Sequence, residues 1–285
     1  MQERRPLLEV LAAALLFGTT GTARALGAKH APALGVGAAR LLIGGGGLIV
    51  IARLSGHDLR HETARRFLVL AGLLTAVYQL AFFAALDRTG VAVGTVVTIG
   101  SGPPLAGLLG MASGQGRPSR RWLVATLLAI SGVALLANPS GGVNTTGVGL
   151  ALLSGLGYAG YTVVAKSLMT SGSAGAVVMA WAFGVGGLLM VPALIATGPG
   201  WLVHPKGAAT ALYLGLLPTT LAYVLFARGL ARLSAATVTT VVLAEPLVAA
   251  LLGVVVLGEH LGVGESIGCA LVLTGLLVIA TERSA

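Results

Sequence analysis

The stretch Leu221–Ala280 constrains this chain most. It reads LAYVLFARGLARLSAATVTTVVLAEPLVAALLGVVVLGEHLGVGESIGCALVLTGLLVIA. Three apolar runs lie there with very short connections, the first of them the end of a run that begins near residue 207, and a helix takes about 20 such residues to cross a hydrocarbon layer. The stretch has a counterpart in the first half, from Leu80 to Ala137. The two align over LAFFAALDR with LAYVLFARG, PPLAGLLG with EPLVAALLG, and ISGVALLA with LTGLLVIA, at an offset near 143 residues. Half the chain therefore repeats the other half.

Composition supports a membrane setting. Of the 285 residues 56% are hydrophobic and 9% charged, and the mean hydropathy is +0.94. Water-soluble domains carry roughly 25% charged residues, so this chain has too few to cover a soluble surface. The apolar runs are continuous and do not alternate with period two, which excludes a transmembrane barrel. The fold class expected is all-α integral membrane. Ten spans are placed at 7–28, 33–53, 67–86, 91–112, 121–138, 147–169, 174–197, 207–230, 235–257 and 263–281. Arg4-Arg5 before an apolar run, with Ala23-Arg-Ala25 after it, imitates a cleaved leader. LLFGTTG of span one has a counterpart in GLGYAGY of span six, so span one is expected to stay as part of the repeat.

Five spans per repeat is an odd number, so the halves, 1–140 and 141–285, must cross the membrane in opposite senses. The link Asn138–Thr146 (NPSGGVNTT) is polar and turn-rich and marks their boundary. Inverted repeats around a midplane site are the architecture of many secondary transporters. Lys and Arg divide 13 to 4 between the two sets of loops, with Arg40 inside a span. By the positive-inside rule both termini are cytoplasmic, in the cell (inner or plasma) membrane. The net charge of +9 belongs to these short loops, with no basic stripe for a nucleic-acid partner. The lone Cys269 excludes an internal disulfide and a cysteine metal site.

These residues resemble the drug/metabolite transporter superfamily, in its EamA-type branch of two tandem five-helix repeats. The resemblance rests on Ala222-Tyr223, Ala244-Glu-Pro-Leu247, Leu257-Gly-Glu259, Gly268 to Gly275 and Ala38-Ala-Arg-Leu-Leu42. Ser113-Gly-Gln-Gly116 departs from it, standing where the family has a Gly-Glu hairpin. The resemblance implies alternating-access transport of a small-molecule substrate, often by export. Amino acids or amino-acid-like metabolites are the preferred class, and cationic or aromatic toxicants the alternative.

Candidate site residues follow from side chains that lipid tolerates poorly. Glu245 sits in the apolar middle of a span, where a carboxylate costs roughly 2.5–3.5 kcal/mol by insertion scales. It suits a proton carrier or a cation ligand, or else a structural tie to nearby Thr or Arg. Protons are the expected coupling ion. Pro246 beside it removes a backbone hydrogen bond. Its repeat partner, Ile99-Gly-Ser101-Gly-Pro103-Pro104, is expected to break or kink span four, as matched breaks do at transporter sites. Arg40 can grip a substrate carboxylate bidentately or serve as a structural tie. Tyr158, Tyr161, Tyr78 and Gln79 can line a pore or sit in interfacial belts. Thr19 and Thr20 between glycines can line the cavity or glue helices, and Trp181 can stack on a cation or face lipid. Lys166 is expected to snorkel, and Glu259 and Glu265 to be solvated.

Other chemistry is not indicated. Four consecutive glycines, Gly44 to Gly47, lack a P-loop lysine and read as helix packing. His57 and His61 beside Asp58 and Glu62 lie in an arginine-rich loop and make a poor metal site. No nucleophile with its base occurs, and no nucleotide motif. No catalytic residue, cofactor or metal is expected, and a membrane-embedded enzyme or a scaffold is a remote alternative.

Overall fold

The computed structural model describes residues 5–59, 64–137, 144–258 and 260–281. Every regular element among them is helical. Of the features singled out from sequence, Glu259, His61, Glu62 and most of the 138–146 link lie outside the described residues.

Ten helices correspond to the ten expected spans. In chain order they are α1 (Arg5–Gly27), α2 (Ala33–Leu54), α3 (Arg65–Gly90), α4 (Val93–Ala112) and α5 (Arg120–Ala137). The second set is α6 (Thr145–Thr170), α7 (Gly175–Ala196), α8 (Pro205–Arg232), α9 (Ala235–Leu257) and α10 (Val263–Ala280). All but α5 meet a combined criterion of length and apolarity for spanning a membrane, and α5 has 18 residues. Each of the ten helices described presents large apolar side chains outward, among them Leu15, Leu73, Leu108, Leu188, Leu251 and Leu277. A surface of this kind fits lipid, with polar groups kept inside.

The pattern of packing is two-fold. α1 lies against α8 and α9, and α6 lies against α3 and α4. α2 packs on α7, and α5 on α10. Exchanging the first five helices for the last five maps this list onto itself. The two halves interlock around a pseudo-two-fold axis, and five crossings per half make them inverted.

Close approach of backbones holds the interlock, because lipid gives no hydrophobic drive for helix association. At the α5–α10 seam a Cβ on Gly132 would fall 2.6 Å from the Gly268 carbonyl oxygen. One on Gly268 would fall 2.7 Å from the Gly132 carbonyl oxygen. At the α2–α7 seam a Cβ on Gly187 would lie 2.9 Å from the Leu41 carbonyl oxygen. At the α1–α9 seam a Cβ on Gly18 would lie 2.9 Å from the Glu245 carbonyl oxygen.

Three interruptions shape the interior. Between α3 and α4 the chain turns at Gly90, whose φ of 77° suits a residue without Cβ. The expected break at Pro103-Pro104 does not occur: α4 runs helically through both prolines. Proline keeps a helical φ, and glycines at 100 and 102 relieve crowding on the preceding turn. The cost is confined to the missing N–H groups. In the second half the helix is interrupted at Leu243, so that Glu245 and Pro246 fall in the first turn of the segment Ala244–Leu257. A first-turn proline is tolerated there. The third interruption is in α8, which widens into a π turn over Leu216–Leu221 around Pro218. Thr219 Oγ1 donates to the Leu214 carbonyl at 2.8 Å, and Thr220 Oγ1 to the Gly215 carbonyl at 2.9 Å.

The α5–α10 seam makes a direct prediction. Gly132→Leu must force these helices apart, and overpacking of this kind costs about 1–3 kcal/mol. The apparent melting temperature in detergent should fall, whereas Gly149→Leu, where a Cβ would meet nothing within 4 Å, should leave it nearly unchanged. Equal melting of the two variants would contradict the packing described.

Candidate functional site

Seven helices converge on a central cavity at mid-span. It is lined by Phe17 of α1, Arg40 of α2, Tyr78 of α3, Thr98 and Ile99 of α4, Tyr158 of α6, Tyr223 of α8, and Val242 and Glu245 of α9. Its open volume is about 30 Å³, room for one or two waters. Both halves contribute to the wall.

One cation and one carboxylate face this small space. Arg40 and Glu245 share it, yet no ion pair within 4.0 Å joins them among the described residues. The Nε of Arg40 is buried and makes no hydrogen bond there, and neither does the buried hydroxyl of Tyr158. Two opposite charges held apart at a midplane leave each free to recognise a group of opposite sign.

Aromatic rings line this space, at Phe17, Tyr78, Tyr158 and Tyr223, and back it, at Tyr161 and Phe183. Tyr78 lies 5.6 Å from Tyr158 and 6.4 Å from Tyr161 between ring centroids. Tyr158 and Tyr161 meet edge-on at 5.6 Å. Phe183 lies 6.0 Å from Tyr161 and 3.8 Å from Tyr223, and Phe17 extends the row at 5.0 Å from Tyr223. The hydroxyls of Tyr161 and Tyr223 meet at 3.4 Å. This box is apolar at its faces and hydroxylated at its edges, and can hold an apolar or aromatic group between the two charges.

The sequence profile of the EamA-like transporter family matches the chain twice, over residues 5–138 and 145–281. The chain belongs to the EamA-like transporter family. Its relatives bear transporter names. An uncharacterized transporter of Bacillus subtilis, YwfM, is 42% identical over 275 residues, covering 96% of this chain and 93% of that protein. A probable terminal-alkyne amino-acid exporter of Streptantibioticus cattleyicolor is 31% identical over 159 residues, covering 55% of this chain and 53% of the relative. A solved crystal structure superposes with a TM-score of 0.82 at 21% identity, covering 96% of this chain and 95% of the other, and shares the fold. This EamA-like chain is therefore a multi-pass membrane transporter rather than an enzyme by family.

Of the residues expected at the site of this EamA-like transporter, Arg40, Tyr78, Tyr158 and Glu245 line the cavity. Tyr161 is fully buried one ring behind it. Ser101 and the threonines lie outside its wall. Ser101 Oγ donates to the Thr98 carbonyl at 3.1 Å, and its side chain fills the space above Gly155. Thr19 Oγ1 donates to the Leu16 carbonyl and accepts from Tyr213 at 2.9 Å. The buried Thr20 hydroxyl has no partner among the described residues. Trp181 is packed with its ring 5.5 Å from the Arg65 guanidinium carbon, away from the cavity lining. Lys166 does not simply reach for solvent: its Nζ donates to the Leu230 and Ala231 carbonyls at 3.0 and 3.1 Å. Gln115, of the hairpin that departs from the family pattern, donates to the Val163 carbonyl at 3.0 Å and to Ser167 Oγ at 3.1 Å.

Sequence reasoning missed Phe17, Thr98, Ile99, Val242 and Tyr223 as lining residues. Tyr223 had a signal: it follows Pro218-Thr219-Thr220, and a π turn rotates the side chains that follow it relative to a regular helix. The others are apolar or small residues in apolar helices, where nothing in the sequence distinguishes a cavity face from a packing face.

Gln79 offers a test of how this interior is built. It is fully buried, and neither its amide nitrogen nor its amide oxygen has a partner among the described residues. An unsatisfied buried amide costs about 1–3 kcal/mol. Gln79→Met should leave the melting temperature of the ligand-free protein unchanged or raise it. A clear fall would show that the amide is satisfied in the folded protein.

Proposed function

We propose that this chain is a secondary carrier that exports small zwitterionic metabolites, amino acids or amino-acid-like compounds, across the plasma membrane by alternating access. The observation that carries the proposal is the pair of unjoined opposite charges, Arg40 and Glu245, in one aromatic cavity between the halves. An α-carboxylate fits the planar fork of Arg40, and an ammonium fits the Glu245 carboxylate. The aromatic box takes the side chain. A relative named as a probable amino-acid exporter supports the substrate class and the direction.

In this reading the units 1–140 and 141–285 are the two walls, and their rocking exposes the cavity to either side in turn. Both termini lie in the cytoplasm, as the arginine distribution requires. Glu245 also carries the coupling proton: it releases the solute when it takes a proton and holds it when ionised. Pro246, with Leu243 before it, lets the two segments of α9 flex against each other. The alternative substrate, a cationic or aromatic toxicant, is favoured by the tyrosine box and Glu245. Arg40 opposes it, because a second cation beside the ligand raises its energy.

Transport into proteoliposomes tests this. With radiolabelled amino acids, Glu245→Gln should abolish the pH dependence of uptake, and Arg40→Lys should lower uptake by about tenfold, the worth of one bidentate charged contact. Unchanged pH dependence in Glu245→Gln would remove the proton role. Saturable uptake of lipophilic cations but not of amino acids would establish the alternative.

A further inference from the structure

Two cavities of this protein share one side chain among the described residues. Tyr223 lines the central cavity. It also lines a second cavity of about 250 Å³ between α2, α7 and α8. Leu48, Met179, Val224 and Ala227 form its apolar wall, and Ser55 and Arg228 stand at its outer rim. That rim is on the arginine-rich side of the molecule, where α2 and α8 end and α7 begins.

Tyr223 is held in place at two levels of the α6–α8 seam. At its own level the ring packs on Phe183 at 3.8 Å, and its hydroxyl meets that of Tyr161 at 3.4 Å. About two turns further along α8, Lys166 of α6 donates to the carbonyls of Leu230 and Ala231. Those carbonyls belong to the last turn of α8, which has no N–H groups of its own to bond them and carries the negative end of the helix dipole. A lysine there is bonded twice and well placed in charge. Tyr223 and Leu230 lie on one face of α8 by their i, i+7 spacing, so a movement of the helix end is carried to the ring. Gln115 fixes the neighbouring α4–α5 hairpin to the same stretch of α6.

We infer that Tyr223 is the door between the central cavity and a vestibule on the arginine-rich side, and that Lys166 is the latch that keeps it shut. The vestibule is the route by which the solute reaches the cavity from that side. While Lys166 caps α8, the end of α8 stays against α6 and the ring stays between the cavities. When the latch releases, α8 swings from α6 and the two spaces join. This inference rests on the carrier reading of the cavity, but its test reads access and needs no transport.

The test is cysteine accessibility in a Cys269→Ser background. Single cysteines replace Ala227, in the vestibule, and Thr98, in the cavity. A membrane-impermeant maleimide is applied from the arginine-rich side. Ala227→Cys should react in every background. Thr98→Cys should react slowly while Lys166 is present and about tenfold faster with Lys166→Met, since charged hydrogen bonds of this kind are worth about that factor in the closed-to-open ratio. Lys166→Arg should restore slow labelling. Tyr223→Ala, which removes the door and keeps the latch, should also speed labelling of Thr98→Cys, and serves if Lys166→Met fails to reach the membrane. Equal rates for Thr98→Cys with and without the latch and the door would overturn the inference, as would an unreactive Ala227→Cys. Either failure with normal uptake would leave the carrier reading standing.

Discussion

Lipid offers a backbone no hydrogen bonds and gives two helices no hydrophobic reason to associate. Everything in this protein follows from how the chain meets those two conditions. The first makes it ten helices with short connections. The second makes contact depend on how closely backbones can approach, and the glycines at the seams set that distance. Gly132 against Gly268, Gly187 against Leu41 and Gly18 against Glu245 are contacts at which a methyl group would collide with a carbonyl oxygen. Each seam joins one half to the other, so the halves are locked together by small residues and can slide or rock where those seams are smooth.

Close packing on the outside of the bundle leaves a small space at its centre, and the polar groups gather there. Arg40 and Glu245 face it from different halves, with tyrosines from α3, α6 and α8 between them. A charge in a membrane interior is costly unless it has a partner. Here, among the described residues, the two charges occur together without an ion pair, in a wall whose Tyr158 hydroxyl also has no partner. A zwitterionic solute would supply all of these at once, which is the physical basis of the proposal.

The spans and the repeat were legible in sequence because both depend on composition over about twenty residues and on similarity over longer stretches. Arg40, Glu245, Tyr78 and Tyr158 were legible because polar groups in a membrane helix require a reason. Phe17 and Val242 were not, since a helix that is apolar all round gives no periodic sign of which face meets a cavity, and Tyr223 was marked only by the Pro218-Thr219-Thr220 turn before it. Pro103-Pro104 was expected to break or kink its span, and the helical dihedrals there exclude the break. Two prolines imply a break only if the helix cannot accommodate the missing donors, and α4 accommodates them. The interruption at Leu243 lies three residues before Pro246, whose missing N–H leaves the Val242 carbonyl without its helical donor. Trp181 was placed by chemistry alone, and its ring turned out to lie beside Arg65.

The most direct test of a cavity built for both ends of a zwitterion is binding to the purified protein in detergent. Calorimetry would compare one amino acid with its N-acetyl and its methyl ester forms. The account predicts that the parent amino acid binds and that blocking either end weakens binding by at least about tenfold, with Arg40→Gln erasing the penalty of the ester and Glu245→Gln that of the acetyl group. Equal binding of the ester and the parent, or penalties that neither substitution alters, would contradict it.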